Sequence, residues 1–157
     1  MDTQFQISIR NAKGLDLNFI YATLINSFCV DRVGGKTCPD RIFQSEYRQV
    51  LDHILSNPLT VTRIACKPDE PEVIYGYLIG EPPNTLHYTF IKEDFRRLGI
   101  AAALFDNLFG HLSPICNTHE TKTSRRLYMA RNKQEPALIH NPYLLYKKGE
   151  YECPTKS

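Results

Sequence analysis

An α/β fold, with one mixed central sheet flanked by helices on both faces, is what this sequence predicts, and three observations predict it. Strand-like and helix-like runs interleave in the order β-α-α-β-β-β-α-β-α-β, the pattern of helices packed on a sheet rather than of a bundle or a sandwich. The chain has 157 residues, of which 42% are hydrophobic, enough for one domain, residues 1–157, with a core of its own. Its charged fraction of 23% and aromatic fraction of 11% are those of a folded globular chain and not of a disordered one.

Phe5-Gln6-Ile7-Ser8-Ile9-Arg10 alternates apolar and polar residues, a first strand that Gly14 closes. A helix starts near Asp16, carries Leu17, Ile20, Leu24 and Phe28 on one face, and runs out at Val33-Gly34-Gly35, where a mobile loop is expected. Asp40 after Pro39 is placed to cap a second helix that carries Ile42, Phe43, Tyr47, Val50, Leu51 and Ile54 and stops before Asn57-Pro58. Two β-rich runs, residues 59–66 and 73–79, flank a polar, proline-bearing turn and read as a hairpin. Pro82-Pro83-Asn84 makes a second turn before a strand over residues 85–91. Ile100, Leu104 and Leu108, with alanines between them, change the period to that of a helix ending near Gly110. Beyond it the sequence predicts a short strand over residues 115–119, a helix from about 123 to 132, and a last extended piece over residues 137–146.

Several classes of function drop out. No apolar run approaches the roughly 20 residues that cross a bilayer, and Met1-Asp2-Thr3-Gln4-Phe5-Gln6 has neither the basic nor the apolar region of a signal peptide, so a soluble cytoplasmic protein is expected. Cys29, Cys38, Cys66, Cys116 and Cys153 are odd in number and scattered, with no CxxC, HxxxH or HExxH among them. Free thiols and no metal site are the expectation. Net charge is only +2, yet residues 1–91 carry 8 Lys/Arg against 10 Asp/Glu while residues 92–157 carry 11 against 7. The second half is the anion-seeking half, by an excess suited to one small polyanion rather than to a long nucleic acid.

The segment that carries chemistry lies between the strand ending at Ile91 and the helix beginning near Ile100. A strand, a tight basic turn with Gly99, and a helix whose first turn holds Ala101, Ala102 and Ala103 build an anion site, because free amides at a helix N-terminus point outward and the helix dipole favours negative charge. It is neither a GxxxxGK[ST] loop nor a GxGxxG. Arg96-Arg97-Leu98-Gly99-Ile100-Ala101 resembles the Q/R-x-x-G-x-G/A signature of the GNAT superfamily of acetyl-CoA-dependent N-acyltransferases, in the strand–loop–helix setting where that family carries it. The element order resembles the family's fold over most of the chain.

The resemblance implies direct transfer of an acyl group from acetyl-CoA, as co-substrate, to an amine of a small molecule, peptide or protein within a ternary complex. It implies that Arg96, Arg97 and the amides of Leu98, Gly99, Ile100 and Ala101 hold the CoA pyrophosphate, and that the strand end at Phe90, Ile91 and Lys92 pairs with the pantetheine arm as an extra strand would. The family commonly uses a Tyr on the helix after the fifth strand as general acid, in a pattern like L-Y-x-x-x-G-F. Tyr128 sits on that predicted helix but without the Gly-Phe, whereas Tyr146 in Leu145-Tyr146-Lys147-Lys148-Gly149 matches the letters one element late. Tyr128 ranks first and Tyr146 second, the ordinary alternative for each being a ring packed in the core.

For a base, His87 and Glu81 flank the CoA strand, and His119 lies in the polar cluster Asn117-Thr118-His119-Glu120-Thr121 at the edge of the expected site, where the alternative is a cap for the following helix. His53 and His111 read as helix-face and loop residues. By the same resemblance, residues 28–39 wall the amine site, with Asn141-Pro142-Tyr143 placed to close it. No motif names the acceptor. Two other functions stand beside the first. One is a phage-type, Mom-like relative that modifies adenine in DNA, suggested by the basic run Lys122, Arg125, Arg126, Arg131 and Lys133; the other is a domain that binds CoA or a partner without turnover. Nucleic acid is not the favoured partner, and the sequence leaves the oligomeric state open.

Overall fold

In the computed structural model, residues 4–33, 38–110, 115–125 and 138–146 are described. The elements are β1 (Ser8–Asn11), α1 (Leu17–Asp31), α2 (Asp40–Ser56), β2 (Val61–Cys66), β3 (Ile74–Glu81), β4 (Thr85–Ile91), α3 (Ile100–Phe109), β5 (Ile115–Asn117) and β6 (Leu138–His140). The strands form one sheet in the order β1-β2-β3-β4-β5-β6. Neighbours from β1 to β4 are antiparallel, and β4–β5 and β5–β6 are parallel. The mixed sheet of the sequence reading is thus present.

Both faces are covered, and the period-two pattern of β3 and β4 decides by what. Tyr77, Ile79, Tyr88 and Phe90 pack with Ile20 and Leu24 of α1 and Tyr47, Leu51 and Ile54 of α2. Tyr75, Leu78 and Leu86 pack with Ile100, Leu104 and Phe109 of α3. Because β3 is buried on both faces, its sequence is a nearly unbroken apolar run, Ile74-Tyr75-Gly76-Tyr77-Leu78-Ile79. Gly76 has a specific reason to be glycine: a Cβ there would lie 2.4 Å from the backbone oxygen of Phe90 on the paired strand.

The entrance to α1 is held by charge. Arg10 of β1 grips the buried carboxylate of Asp16 with two bonds of 2.7 and 2.9 Å, and the Lys13 amide donates to the same carboxylate at 2.6 Å. The Asp16 carboxyl titrates below its ordinary range, chiefly because of the hydrogen bond from Arg10. At α2 the expectation needs correction. Asp40 is the first helical residue and not the cap, since Pro39 occupies the cap position; proline favours such an entry because it surrenders no amide the helix needs. Asp40 instead lies 3.4 Å from the Arg32 guanidinium.

Three boundaries move. The first strand begins at Ser8 rather than Phe5, β5 stops at Asn117, and the last extended piece is short, giving way to a 3-10 turn at Pro142–Tyr146. Residues 122–125 are helical at the start of the predicted 123–132 helix, whose remainder lies outside the described residues, as do residues 34–37 of the expected loop. The thiol expectation is also corrected: Cys29, Cys38 and Cys66 are free, but Cys116, fully buried on β5, is disulfide-bonded. Count and spacing cannot show which residues a fold brings side by side. Among the described residues no helix is long and apolar enough to cross a membrane.

Candidate functional site

Among the described residues, β4 and β5 pair at Thr85↔Cys116 and Leu86↔Asn117, with the Cys116 amide donating to the Asn84 carbonyl at 2.8 Å and the Thr118 amide to the Leu86 carbonyl at 3.0 Å. β4 then continues to Ile91 without β5. The parting coincides with an irregularity in β4: Ile79 pairs with Tyr88 and Gly80 with Leu86, so His87 is an extra residue, a bulge that bends the strand. Two buried side-chain oxygens on these strands have no hydrogen-bond partner among the described residues, Thr89 Oγ1 on β4 and Asn117 Oδ1 on β5. Natural interiors rarely leave such atoms unmet. Two helices between β1 and β2, an antiparallel β2-β3-β4 meander, and a parallel β4–β5 pair that parts at a bulge decide the architecture. This is the architecture that the resemblance of the signature segment to GNAT proteins implies.

No family model matches the chain, and no curated protein does. Among solved structures, it is similar to a GCN5-related N-acetyltransferase from Rhodopseudomonas palustris, at 14% identity over 69% of this chain and 66% of that one, with a TM-score of 0.49. It is similar to a ribosomal-protein-alanine N-acetyltransferase from Brucella melitensis, at 14% identity over 97% of this chain and 99% of that one, TM-score 0.43. A predicted acetyltransferase from Clostridium acetobutylicum, solved with acetyl-CoA, is similar at 17% identity over 83% and 91%, TM-score 0.47. The chain spans just under two thirds of the first solved chains it matches, 66%, 65% and 62% of their lengths. Likeness at this level carries no inference about activity or substrate.

At the end of β4, the signature segment is an exposed turn. Glu93–Phe95 form a single 3-10 turn, and Arg97 and Gly99 both take left-handed backbone, φ 63° and 80°. Helical bonding starts with the Ala103 amide to the Gly99 carbonyl at 3.0 Å, which leaves the amides of Ile100, Ala101 and Ala102 without an acceptor within the helix. Arg97, Leu98, Gly99 and Ala101 are exposed, whereas the side chain of Ile100 is buried against α3's own packing face. Arg96 turns back and donates from Nε to the Ile91 carbonyl at 3.1 Å, bracing the turn on β4. Lys92 lies over the Phe19 ring at 5.1 Å, and Phe90 stacks on Tyr77, with ring centres 5.5 Å apart.

On the other side of the sheet, the bulge brings three of the sequence candidates together. His87 Nε2 is 3.1 Å from Glu81 Oε1, and its Nδ1 is 2.9 Å from Thr118 Oγ1. Thr118 Oγ1 is in turn 2.7 Å from His119 Nδ1, and His119 Nε2 is bonded to the Tyr47 hydroxyl on α2. His87, Thr118, His119 and Tyr47 are all less than 10% exposed, while the Glu81 side chain reaches water at 23%. Asn57 supports the Glu81 carboxylate from Nδ2 at 3.1 Å. The hydrogen bond from His87 holds Glu81 below the usual carboxylate range against the opposing effect of burial. Burial, with His87 and His140 nearby, lowers His119 to about 3, so its imidazole is neutral at pH 7. The same burial pushes the Tyr47 hydroxyl well up.

Phe28, from the segment expected to wall the acceptor site, packs on Tyr47, Tyr88 and His119 with ring centres 5.0 to 5.9 Å apart. Arg32 lies 4.0 Å over the Phe43 ring and donates to the Cys38 carbonyl at 2.9 Å, closing the base of that segment. The helix cap after β5 is made by Thr121 and Ser124, whose side chains accept each other's amides at 2.9 Å, and His119 takes no part in it. Tyr128 lies outside the described residues. Tyr146 falls in the 3-10 turn at Pro142–Tyr146, its side chain outside what is described. Tyr47 and the bridging role of Thr118 escaped sequence reasoning. Tyr47 occupies an ordinary core position on the α2 face, and nothing in its local pattern marks it as a partner for a histidine 72 residues away.

Proposed function

We propose that the protein is an N-acyltransferase that uses acetyl-CoA as co-substrate and transfers the acyl group to an amine by direct attack in a ternary complex. The observation that carries this reading is the opening between β4 and β5: it has a strand edge unpaired among the described residues, an anion-suited turn at one end, and a buried histidine chain on the opposite face of the sheet. Acetyl-CoA would supply the activated acyl carbon as a thioester. Arg97 and the open amides from Leu98 to Ala101 would neutralise and orient a pyrophosphate. Arg96, already bound to the Ile91 carbonyl, would act by fixing the turn. The free edge of β4 at Phe90, Ile91 and Lys92 would offer backbone groups to the pantetheine arm. Tyr128 remains the first choice and Tyr146 the second for the acid that protonates the leaving sulfur.

The acceptor enters, in this reading, from the α1–α2 side near Phe28, consistent with the net −2 of residues 1–91, which favours a protonated amine. Titration of acetyl-CoA by calorimetry, followed by a steady-state assay against a panel of small amines and peptides with free N-termini, tests the proposal. Binding and turnover support it. Binding without turnover on any amine would leave a CoA-binding domain, and salt-sensitive DNA binding in place of CoA binding would favour the base-modifying reading.

A further inference from the structure

Resting on the acyltransferase reading, we infer that Phe5, ahead of β1, is a positioning residue for the acyl donor: with Tyr75 it clamps Phe95 at the root of the signature turn and so holds Arg96 to Gly99 ready for a pyrophosphate. The turn needs holding. Arg96, Arg97, Leu98 and Gly99 are all exposed, and Arg97 is a non-glycine residue in left-handed backbone, φ 63°. Such a conformation persists where the surroundings impose it. The ties back to the sheet lie at the root of the turn: the Lys92 amide donates to the Tyr75 carbonyl at 2.9 Å, and Arg96 Nε donates to the Ile91 carbonyl at 3.1 Å. Tyr75 therefore serves twice, since its ring centre also lies 4.4 Å from that of Phe95.

Phe5 closes this pair into a triangle, its ring centre 5.2 Å from that of Tyr75 and 6.1 Å from that of Phe95. Nothing in the sheet asks for it there. β1 pairs with β2 and begins at Ser8, although the alternation of Phe5, Ile7 and Ile9 would carry a strand from Phe5. Instead the chain ahead of Ser8 reaches Tyr75 of β3 and the segment after β4, strands that lie beyond β2 in the sheet order. Burial alone does not account for the placement, because Phe5 stays 40% exposed. Ile7, Ile9 and Phe95 pack against the cluster that holds α3, so the clamp stands on the core beneath the helix whose first amides the pyrophosphate would meet. A turn fixed before the ligand arrives spares binding the cost of ordering it. Loss of the Phe5 ring frees one side of Phe95 and weakens donor affinity, while the chemical step is untouched, since the turn would hold the far end of the donor and not the reacting thioester.

The experiment compares wild type, Phe5→Ala, Phe5→Leu and Phe5→Tyr by calorimetric titration with acetyl-CoA, by steady-state acetylation of an amine, and by the backbone chemical shifts of Arg97, which report the sign of its φ. Phe5→Leu keeps apolar bulk and retains folding if Phe5→Ala does not, and Phe5→Tyr keeps the ring. Phe5→Ala is expected to raise Kd and KM for acetyl-CoA about threefold to tenfold with kcat within about twofold of wild type, and to move the Arg97 shifts toward negative φ. Phe5→Leu should change them in the same direction by less, and Phe5→Tyr should match wild type. A role in stability alone would lower the melting temperature and leave Kd, KM and the Arg97 shifts where they are. That result, or a fall in kcat with KM unchanged, would overturn the clamp while leaving acyl transfer standing. Wild-type protein that binds acetyl-CoA and acetylates no amine would overturn the acyltransferase reading alone, the clamp being then decided by Kd and the Arg97 shifts; wild-type protein that does not bind acetyl-CoA would overturn both.

Discussion

Gly99 is where backbone conformation and proposed ligand meet. Its φ of 80° disfavours any residue with a Cβ, and no heavy atom lies within 4 Å of where that Cβ would be, so the position has space but not conformational freedom. This separates two substitutions. Gly99→Asn, which tolerates left-handed backbone better than most residues, should retain acetyl-CoA binding to within a few fold. Gly99→Glu adds strain and a carboxylate beside the open amides and should weaken it by at least about tenfold. Calorimetry on the two folded variants decides; equal affinity for both would move the pyrophosphate away from this turn. His119 shows the opposite case, a residue whose chemistry is set wholly by its neighbours. Its type and its place in a polar cluster are visible in the chain, but the burial that lowers it to about 3 comes from Phe28, Tyr47 and Tyr88, which are brought from α1, α2 and β4.

At the scale of elements, β3 and β4 set the geometry of the site. Their close crossing at Gly76↔Ile91 requires the absence of a side chain, because the obstacle 2.4 Å away is backbone and cannot rotate aside. Gly76→Ala is therefore expected to destabilise by about 1–3 kcal/mol, as overpacking does, and the loss should appear as a lowered urea midpoint with an unchanged slope. A midpoint equal to wild type would mean that the strands separate there at little cost. β4 itself was fully legible, all seven residues from Thr85 to Ile91, because turn residues bound it on the left and a change of period on the right. Its bulge was not legible. Whether His87 is an ordinary strand residue or an extra one depends on which residues of β3 stand opposite, and register is a property of the pair.

For the molecule as a whole, buried neutral His119 links stability to pH. Its folded pKa of about 3 lies below the ordinary 6.5, so between these values the unfolded chain holds a proton that the folded chain refuses. Stability from this group is complete above pH 6.5 and is lost as pH falls toward 3, at up to about 1.4 kcal/mol per pH unit. Asp16 and Glu81, whose carboxyls are lowered, add their own losses only below their ordinary values of 3.8 and 4.5. Urea unfolding at pH 6.5, 5.8 and 5.0 isolates the histidine. Wild type should weaken steadily across that range while His119→Gln stays nearly level, and parallel slopes would show that His119 is hydrated or charged in the folded state.

The sequence by itself determined the fold class, the order of the elements, the hairpins and the signature turn at α3, since each is written in local periodicity, in Gly and Pro, and in short motifs whose meaning does not depend on distant residues. It also supplied Glu81, His87 and His119 as separate candidates. Only the tertiary structure decided that they belong to one chain of hydrogen bonds, that Thr118 is its bridge and Tyr47 its far end, and that Cys116 is not a free thiol. Those facts depend on contacts across 31 and 72 residues, where strand register and helix packing set the distance and no local pattern of amino acids records it.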